Sequence, residues 1–177
     1  LKDQVVDYLS VAHPNIKVDY VTVDNIDGPG SGSGYSLLCC KDHLQEPFIF
    51  LPSDGLLFGD LKSVPENNWI GTKFVDSSLS VQYCNAKVKD GKVQEIQDKQ
   101  KCDNSFVAWS GLAYVKDYDV FWNNLGNSKI IAGEHQISNG LQGLLQHSSL
   151  HAVEVNWIDL GDWKKYSEQR KKETPYD

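Results

Sequence analysis

Methionine is missing from the 177-residue chain altogether. Leu1 is therefore not an initiator, and the sequence is read as starting inside a longer protein or behind a removed front. Basic residues are scarce, 17 against 24 acidic, for a net charge of −7. The basic cluster of Lys164, Lys165, Arg170, Lys171 and Lys172 reads as a solvated helix face and tail, not as the basic stripe of a nucleic-acid binder. No run of about 18 apolar residues occurs, so no membrane-spanning helix is expected, and Leu1 opens no signal-peptide pattern. The four cysteines lack C-x-x-C spacing, and adjacent Cys39 and Cys40 cannot clip a metal. Reduced, partly buried cysteines in a cytoplasmic protein are the expectation. Also absent are Gly-Lys-Ser/Thr, G-x-G-x-x-G, G-x-S-x-G and H-E-x-x-H. That excludes the common phosphate loop, dinucleotide fingerprint, nucleophile elbow and metalloprotease helix. None of the five histidines has triad context, so all are read as structural or surface residues.

What remains suits a packed core. The chain is 40% hydrophobic and 11% aromatic, and at this length roughly 70% of the unfolded surface is buried on folding. One domain spanning 1–177 is expected. Apolar spacing predicts a helix over 2–11, and the alternation IKVDYVTV predicts a strand over 16–23. A glycine-rich loop follows over 24–34, then a helix over 35–44. The apolar run FIFL, 48–51, suits a strand buried on both faces, as in a parallel sheet. Strands are expected over 69–75, 79–88, 92–96, 106–115 and 151–155, with Asp90 and Gly91 as a hairpin turn. Helices are expected over 117–124, 138–147 and 163–171, the last capped by Asp162. The fold class is α/β: a Rossmann-like mixed sheet flanked by helices, carrying a β-rich insertion.

Four segments offer chemistry. In the glycine loop, Gly30, Gly32, Ser33 and Gly34 sit between a predicted strand and helix, where backbone approaches ligands closely and a helix start favours anions; a flexible linker is the plain alternative. Asp54 lies just past the FIFL run, at a strand end where ligands of open α/β sheets bind; an Asx turn also explains it. Asp159 likewise follows a strand in WIDLGDW, and Asp54 with Asp159 would suit Mg²⁺, which takes one or two carboxylates plus substrate phosphates. Glu134, in GEHQIS, is placed to hydrogen-bond sugar hydroxyls or to cap the next helix.

Six blocks in order resemble the nucleotidyltransferase family of nucleoside-diphosphate-sugar pyrophosphorylases, with its sugar-1-phosphate and phosphocholine members. They are GSGSGYSLL (30–38), LPSDG (51–55), EIQDKQ (95–100), WSGLAYV (109–115), GEHQIS (133–138) and WIDLGDWKKY (157–166). The resemblance implies a Rossmann-like catalytic domain and an enzyme of nucleotide-sugar and polysaccharide biosynthesis. A sugar-1-phosphate oxygen would attack the α-phosphate of a nucleoside triphosphate, releasing pyrophosphate. It implies that Gly30, Gly32, Ser33 and Gly34 meet the nucleotide and that Asp54 and Asp159 hold Mg²⁺. Lys99 would meet the sugar-linked phosphate, with Asp54 and Lys99 the catalytic pair. Asp98, standing where the family has Glu, would line the sugar site with Gly111 and Glu134.

The family's opening signature, G-G-x-G-x-R-L followed by P-K, has no match here, and Arg170 is the sole arginine. Roughly 50–70 residues are therefore expected ahead of Lys2, given the size of a βαβ unit. A chain lacking them would expose a sheet edge and self-associate as a homo-oligomer. Gln100 replaces the Pro of E-K-P, and Asp162 replaces a Thr. Two other readings stand beside the enzyme: a non-catalytic nucleotide- or sugar-binding relative, and a glycosyltransferase of similar fold. The latter would use a D-x-D motif, for which Asp117, Tyr118 and Asp119 offer only a helix start.

Overall fold

A computed structural model of the chain describes residues 2–58, 61, 64–127, 130, 131 and 133–173. Its elements, in order, are α1 (Lys2–Ala12), α2 (Ser33–Cys39), β1 (Phe48–Phe50), β2 (Gly55–Phe58), β3 (Trp69–Lys73), β4 (Cys84–Lys89), β5 (Lys92–Asp98) and β6 (Phe106–Val115). There follow α3 (Tyr118–Gly126), α4 (Ser138–His147), β7 (His151–Glu154), β8 (Asn156–Asp159) and α5 (Trp163–Glu173).

Six strands form a mixed sheet in the order β1-β6-β3-β7-β5-β4. Only β3 and β7 run parallel. β6 also pairs with β4, through Asn85↔Ala108 and its neighbours, so the ladders run from β6 through β3, β7, β5 and β4 back to β6. The β-rich stretch is thus built into the main sheet. Its hairpin turn forms as expected: Asp90 (φ 51°) and Gly91 (φ 71°) take the left-handed backbone of a two-residue turn. The hairpin docks on β7 through Ala152 N–H to the Gly91 carbonyl and Val93 N–H to the Leu150 carbonyl, both 2.9 Å.

On one face, α2, α3 and α4 pack on the sheet around Phe121, Leu125, Leu141 and Leu144, all fully buried. Phe48 stacks on Trp122 at 5.3 Å and meets Phe121 edge-on at 5.7 Å. A second core, of Trp69, Ala108, Leu112, Val155 and Trp157, lies under β2 and β8. Asn68 ties the layers together. It is 1% exposed. Its side-chain oxygen accepts from the N–H groups of Lys116 and Asp117, and its amide donates to Asp117 Oδ2 at 2.7 Å and the Ser149 carbonyl at 3.2 Å.

Three expectations are corrected. Residues 16–23 form no strand: among the described residues they join no ladder, and Ile16, Val18 and Tyr20 are exposed. Alternation makes a strand only where a neighbour takes up the backbone N–H and C=O groups. The FIFL run is not a two-sided interior strand of a parallel sheet. Among the described residues β1 pairs with β6 alone, antiparallel, and leaves Ile49 61% exposed. Residues 77–82 form a 3₁₀ turn capped by the Asp76 side chain rather than the start of a strand, so β4 begins only at Cys84. No helix among the described residues is long and apolar enough to cross a membrane.

Candidate active site

A cleft of about 460 Å³ opens between the end of β1, the β2–β8 ribbon, the bulged middle of β6 and the start of α4. Ser33, Asp54, Asp98, Lys99, Gly111 and Asp159, separated by up to 126 positions in sequence, all line it. The fold therefore gathers most of the residues singled out from the sequence.

One wall is made by the two-stranded ladder of β2 and β8. Gly55 pairs with Asp159, and Leu160 N–H donates to the Asp54 carbonyl at 2.7 Å. This register sets Asp54 beside Asp159. A Cβ placed on Gly161 would lie 3.0 Å from Asp159 Oδ1 and 3.3 Å from Asp54 Oδ2. The two carboxylates thus face a common space that stays open because position 161 has no side chain. Among the described residues no cluster of three or more His, Cys, Asp or Glu side chains could hold a metal. The donor set is two carboxylates, which suits a hard cation that draws its other ligands from water and phosphate.

Asp159 is itself held firmly. Its Oδ1 accepts from Gly161 N–H at 2.8 Å. Its Oδ2 accepts from the Tyr83 hydroxyl at 2.9 Å and from the Lys165 ammonium. Burial pushes this carboxyl up, but the Lys165, Gly161 and Tyr83 hydrogen bonds outweigh it and hold the group below the ordinary carboxylate value. Burial and then the bond to Asp159 push the Tyr83 phenol up. Burial works against the Lys165 ammonium, yet Asp159 and Tyr83 raise it above its usual value.

Lys99, just past β5, also lines the cleft, in the left-handed region (φ 51°) with its N–H on the Tyr83 carbonyl at 3.0 Å. A non-glycine residue there is uncommon, and such conformations gather at functional sites. Lys99 Nζ pairs with Glu134 Oε2 at 3.3 Å, and Gln136 Nε2 donates to the same oxygen at 2.7 Å. Beside them, the Ser138 hydroxyl donates to Asp98 Oδ2. Glu134 is not part of the cleft lining itself but reaches it through Lys99.

The floor is a bulge in β6. Ile70 pairs with Ala113 but Thr72 with Trp109, so β6 bows out at Ser110, Gly111 and Leu112. Gly111 has φ +87°, and a Cβ there would lie 2.4 Å from Pro52 Cγ. Only glycine lets Pro52 seat here and aim the loop that carries Asp54. The glycine loop lies along the GEHQIS segment. Gly30 N–H donates to the Gly133 carbonyl (2.9 Å), His135 N–H to the Ser31 carbonyl (2.7 Å) and Gly34 N–H to the His135 carbonyl (2.9 Å). This bonding makes it a docked segment, not a free linker. Ser33 reaches the cleft; Gly30, Gly32 and Gly34 sit behind it.

Sequence reasoning assigns no site role to several lining residues: Gln82, Tyr83, Gln136, Ser138 and Lys165. Gln136 and Ser138 stand in the GEHQIS block and Lys165 in the WIDLGDWKKY block, whereas Gln82 and Tyr83 had no signal. Asp117 of the D-x-D candidate lies elsewhere, tied to Asn68 and Ser148.

Four aspartates line the cleft against two lysines, Lys99 and Lys165. That balance repels polyanions unless a further cation enters with them.

No family model matches the chain. Among curated proteins, the bifunctional protein GlmU of Methanococcus vannielii is 22% identical over 171 residues, covering 90% of this chain and 39% of that protein. The chain thus spans well under half the length of this relative. Solved structures align over nearly all of it. A Bacillus anthracis protein described as a glucose-1-phosphate thymidylyltransferase, in complex with sucrose, has TM-score 0.77 at 19% identity, covering 99% of this chain and 73% of its own. A UDP-glucose pyrophosphorylase complexed with UDP-glucose has TM-score 0.71 at 15% identity, covering 97% and 74%. The UTP-bound enzyme of Acinetobacter baumannii has TM-score 0.67 at 16% identity, covering 98% and 68%. The chain has the fold of the sugar-1-phosphate nucleotidyltransferases.

Proposed function

We propose that the cleft carries out nucleotidyl transfer: a sugar-1-phosphate or a phosphocholine-like alcohol phosphate attacks the α-phosphate of a nucleoside triphosphate, takes up the nucleoside monophosphate and releases pyrophosphate. One observation carries this reading. On a nucleotidyltransferase fold, an acidic pair (Asp54, Asp159) and a basic group (Lys99) line one cleft, which a docked glycine loop joins through Ser33. The reaction needs little covalent work from the protein; it needs two anions aligned and their charge neutralised.

Each residue has a part. Asp54 and Asp159 would hold Mg²⁺, whose chemistry when bound is to neutralise the phosphate charge that four cleft aspartates otherwise repel. Lys99, kept forward by its left-handed backbone and by Glu134, binds the sugar-linked phosphate. Asp98 and Glu134 accept hydroxyl protons of the sugar, and Gly111 leaves room for the ring. The glycine loop, with Ser33 foremost, packs against the nucleoside.

The test is pyrophosphate release from each nucleoside triphosphate, paired in turn with a panel of sugar-1-phosphates and with phosphocholine. Release with at least one pair is expected. The Asp159–Lys165 ion pair, which already occupies one carboxylate oxygen, favours a second reading as a binding protein without turnover. Retained ligand binding with no release from any pair would select that second reading. Absence of both binding and release refutes the two together.

A further inference from the structure

Lys165 lies in the first turn of α5. Its backbone N–H is capped by Asp162 Oδ1 at 2.9 Å, and its ammonium stands 3.6 Å from Asp162 Oδ2. The same ammonium binds Asp159 Oδ2, sits 3.3 Å from the Tyr83 hydroxyl and lies 5.5 Å from the Tyr83 ring centroid. Tyr83 is fixed in turn against Trp157, edge-on at 5.6 Å. Anchors from three places on the chain therefore hold this cation at the cleft, beside the acidic pair. Its side chain keeps about a third of its surface exposed (34%) while it lines the cleft.

We infer that Lys165 is a resident cation of the acidic pair: it holds Asp159 when the cleft is empty, weakens divalent-ion binding there, and turns to phosphate oxygens when a metal–polyphosphate enters. Three features support this. Tyr83 and Lys165 both donate to Asp159 Oδ2, so with these bonds in place an ion meets only Asp54 and the Oδ1 side of Asp159. An ammonium one carboxylate away from a divalent ion repels it, and near a protein surface such repulsion changes affinity by roughly tenfold or more. Finally, Lys165 joins Lys99 as the second of the two lysines lining the cleft, and lysine is a mobile point charge well suited to phosphate. Only the identity of the phosphate-bearing ligand rests on the nucleotidyl-transfer reading.

The experiment measures Mn²⁺ binding to the ligand-free chain by electron paramagnetic resonance of the free ion, then binding of tripolyphosphate with Mn²⁺ present. Lys165→Gln is expected to tighten Mn²⁺ alone by about tenfold or more and to weaken tripolyphosphate by about tenfold. Lys165→Arg, which keeps the charge, should bind Mn²⁺ as the parent does. Asp54→Asn combined with Lys165→Gln should lose the gain, which places it at this pair. Lys165→Met, which keeps the apolar stem, carries the test should Lys165→Gln not fold. Equal Mn²⁺ affinity for the parent and the neutral variants overturns the inference, as does tripolyphosphate binding that ignores residue 165. A merely structural ion pair would move thermal stability and neither affinity. Neither readout requires turnover. A chain that releases no pyrophosphate can still show the Lys165 effect, and a chain that turns over can still lack it.

Discussion

Gly161→Ala isolates the acidic pair from the rest of the fold. Gly161 is not among the residues with left-handed backbone, so alanine fits the local conformation. Such a change ordinarily leaves stability within about 1 kcal/mol, often slightly raised because the unfolded chain loses freedom. The added methyl would nevertheless sit 3.0 Å from Asp159 Oδ1 and 3.3 Å from Asp54 Oδ2. Carboxylate oxygens ligate Mg²⁺ or Ca²⁺ at about 2.0–2.6 Å, so a carbon that close to both oxygens fills the volume a shared ion needs. The Gly161 N–H bond to Asp159 Oδ1 survives, and the carboxylates themselves are untouched. Perturbations one layer removed from a metal typically cost about 10- to 100-fold in affinity or activity. The expected outcome is that scale of loss in Mn²⁺ affinity and in pyrophosphate release, with a cooperative melt within a few degrees of the parent's. Paramagnetic resonance and a thermal melt on the same preparation check both halves. Parental Mn²⁺ affinity in a folded Gly161→Ala chain would refute the assignment of Asp54 and Asp159 as a shared ion site.

Three further outcomes are expected. Gly111→Ala combines a left-handed backbone with a methyl 2.4 Å from Pro52 Cγ; denaturant melts should show a loss of about 2 kcal/mol or more, with activity falling as the Asp54 loop shifts. Asn68→Leu strips the acceptor from two N–H groups and the donor from Asp117 in a buried site; about 3 kcal/mol of unfolding free energy should go, read by the same melts. Acid lability follows from Asp159 and Asp117. Burial pushes Asp159 up, but Lys165, Gly161 and Tyr83 hold it below the ordinary 3.8. Asp117 is held below it by Ser148 and Asn68. Groups with depressed native values stabilise the fold above their unfolded value and cease to do so as pH falls through the native one. The denaturant midpoint should therefore be flat from neutral pH to about 5 and drop below about 4, and Asp117→Asn should flatten the drop.

What could be read from sequence depended on whether a local pattern needed a distant partner. The helix over 138–147 and the strand over 106–115 are long, strongly patterned and buried, and the structure keeps both within the expected bounds. Residues 16–23 have equally good alternation, yet no described strand accepts their hydrogen bonds. A strand is a property of a pair, and one sequence window holds only half of it. The FIFL run shows the same limit: apolar residues report that a surface is buried somewhere, not whether the strand lies inside a sheet or at its edge. Asp54 and Asp159 were legible one at a time, because each stands at a strand end. Their meeting depends on the β2–β8 ladder, whose four-residue strands are too short to register as a period. Lys165 was the hardest to read. Within WKKYSEQRKK it looks like one charge on a solvated helix face, and only the β4 entry, which brings Tyr83 across, turns that charge into part of the cleft. The order of motifs along the chain thus reports most of the residues that gather at the cleft. Which of them pair with one another follows only from the ladder registers.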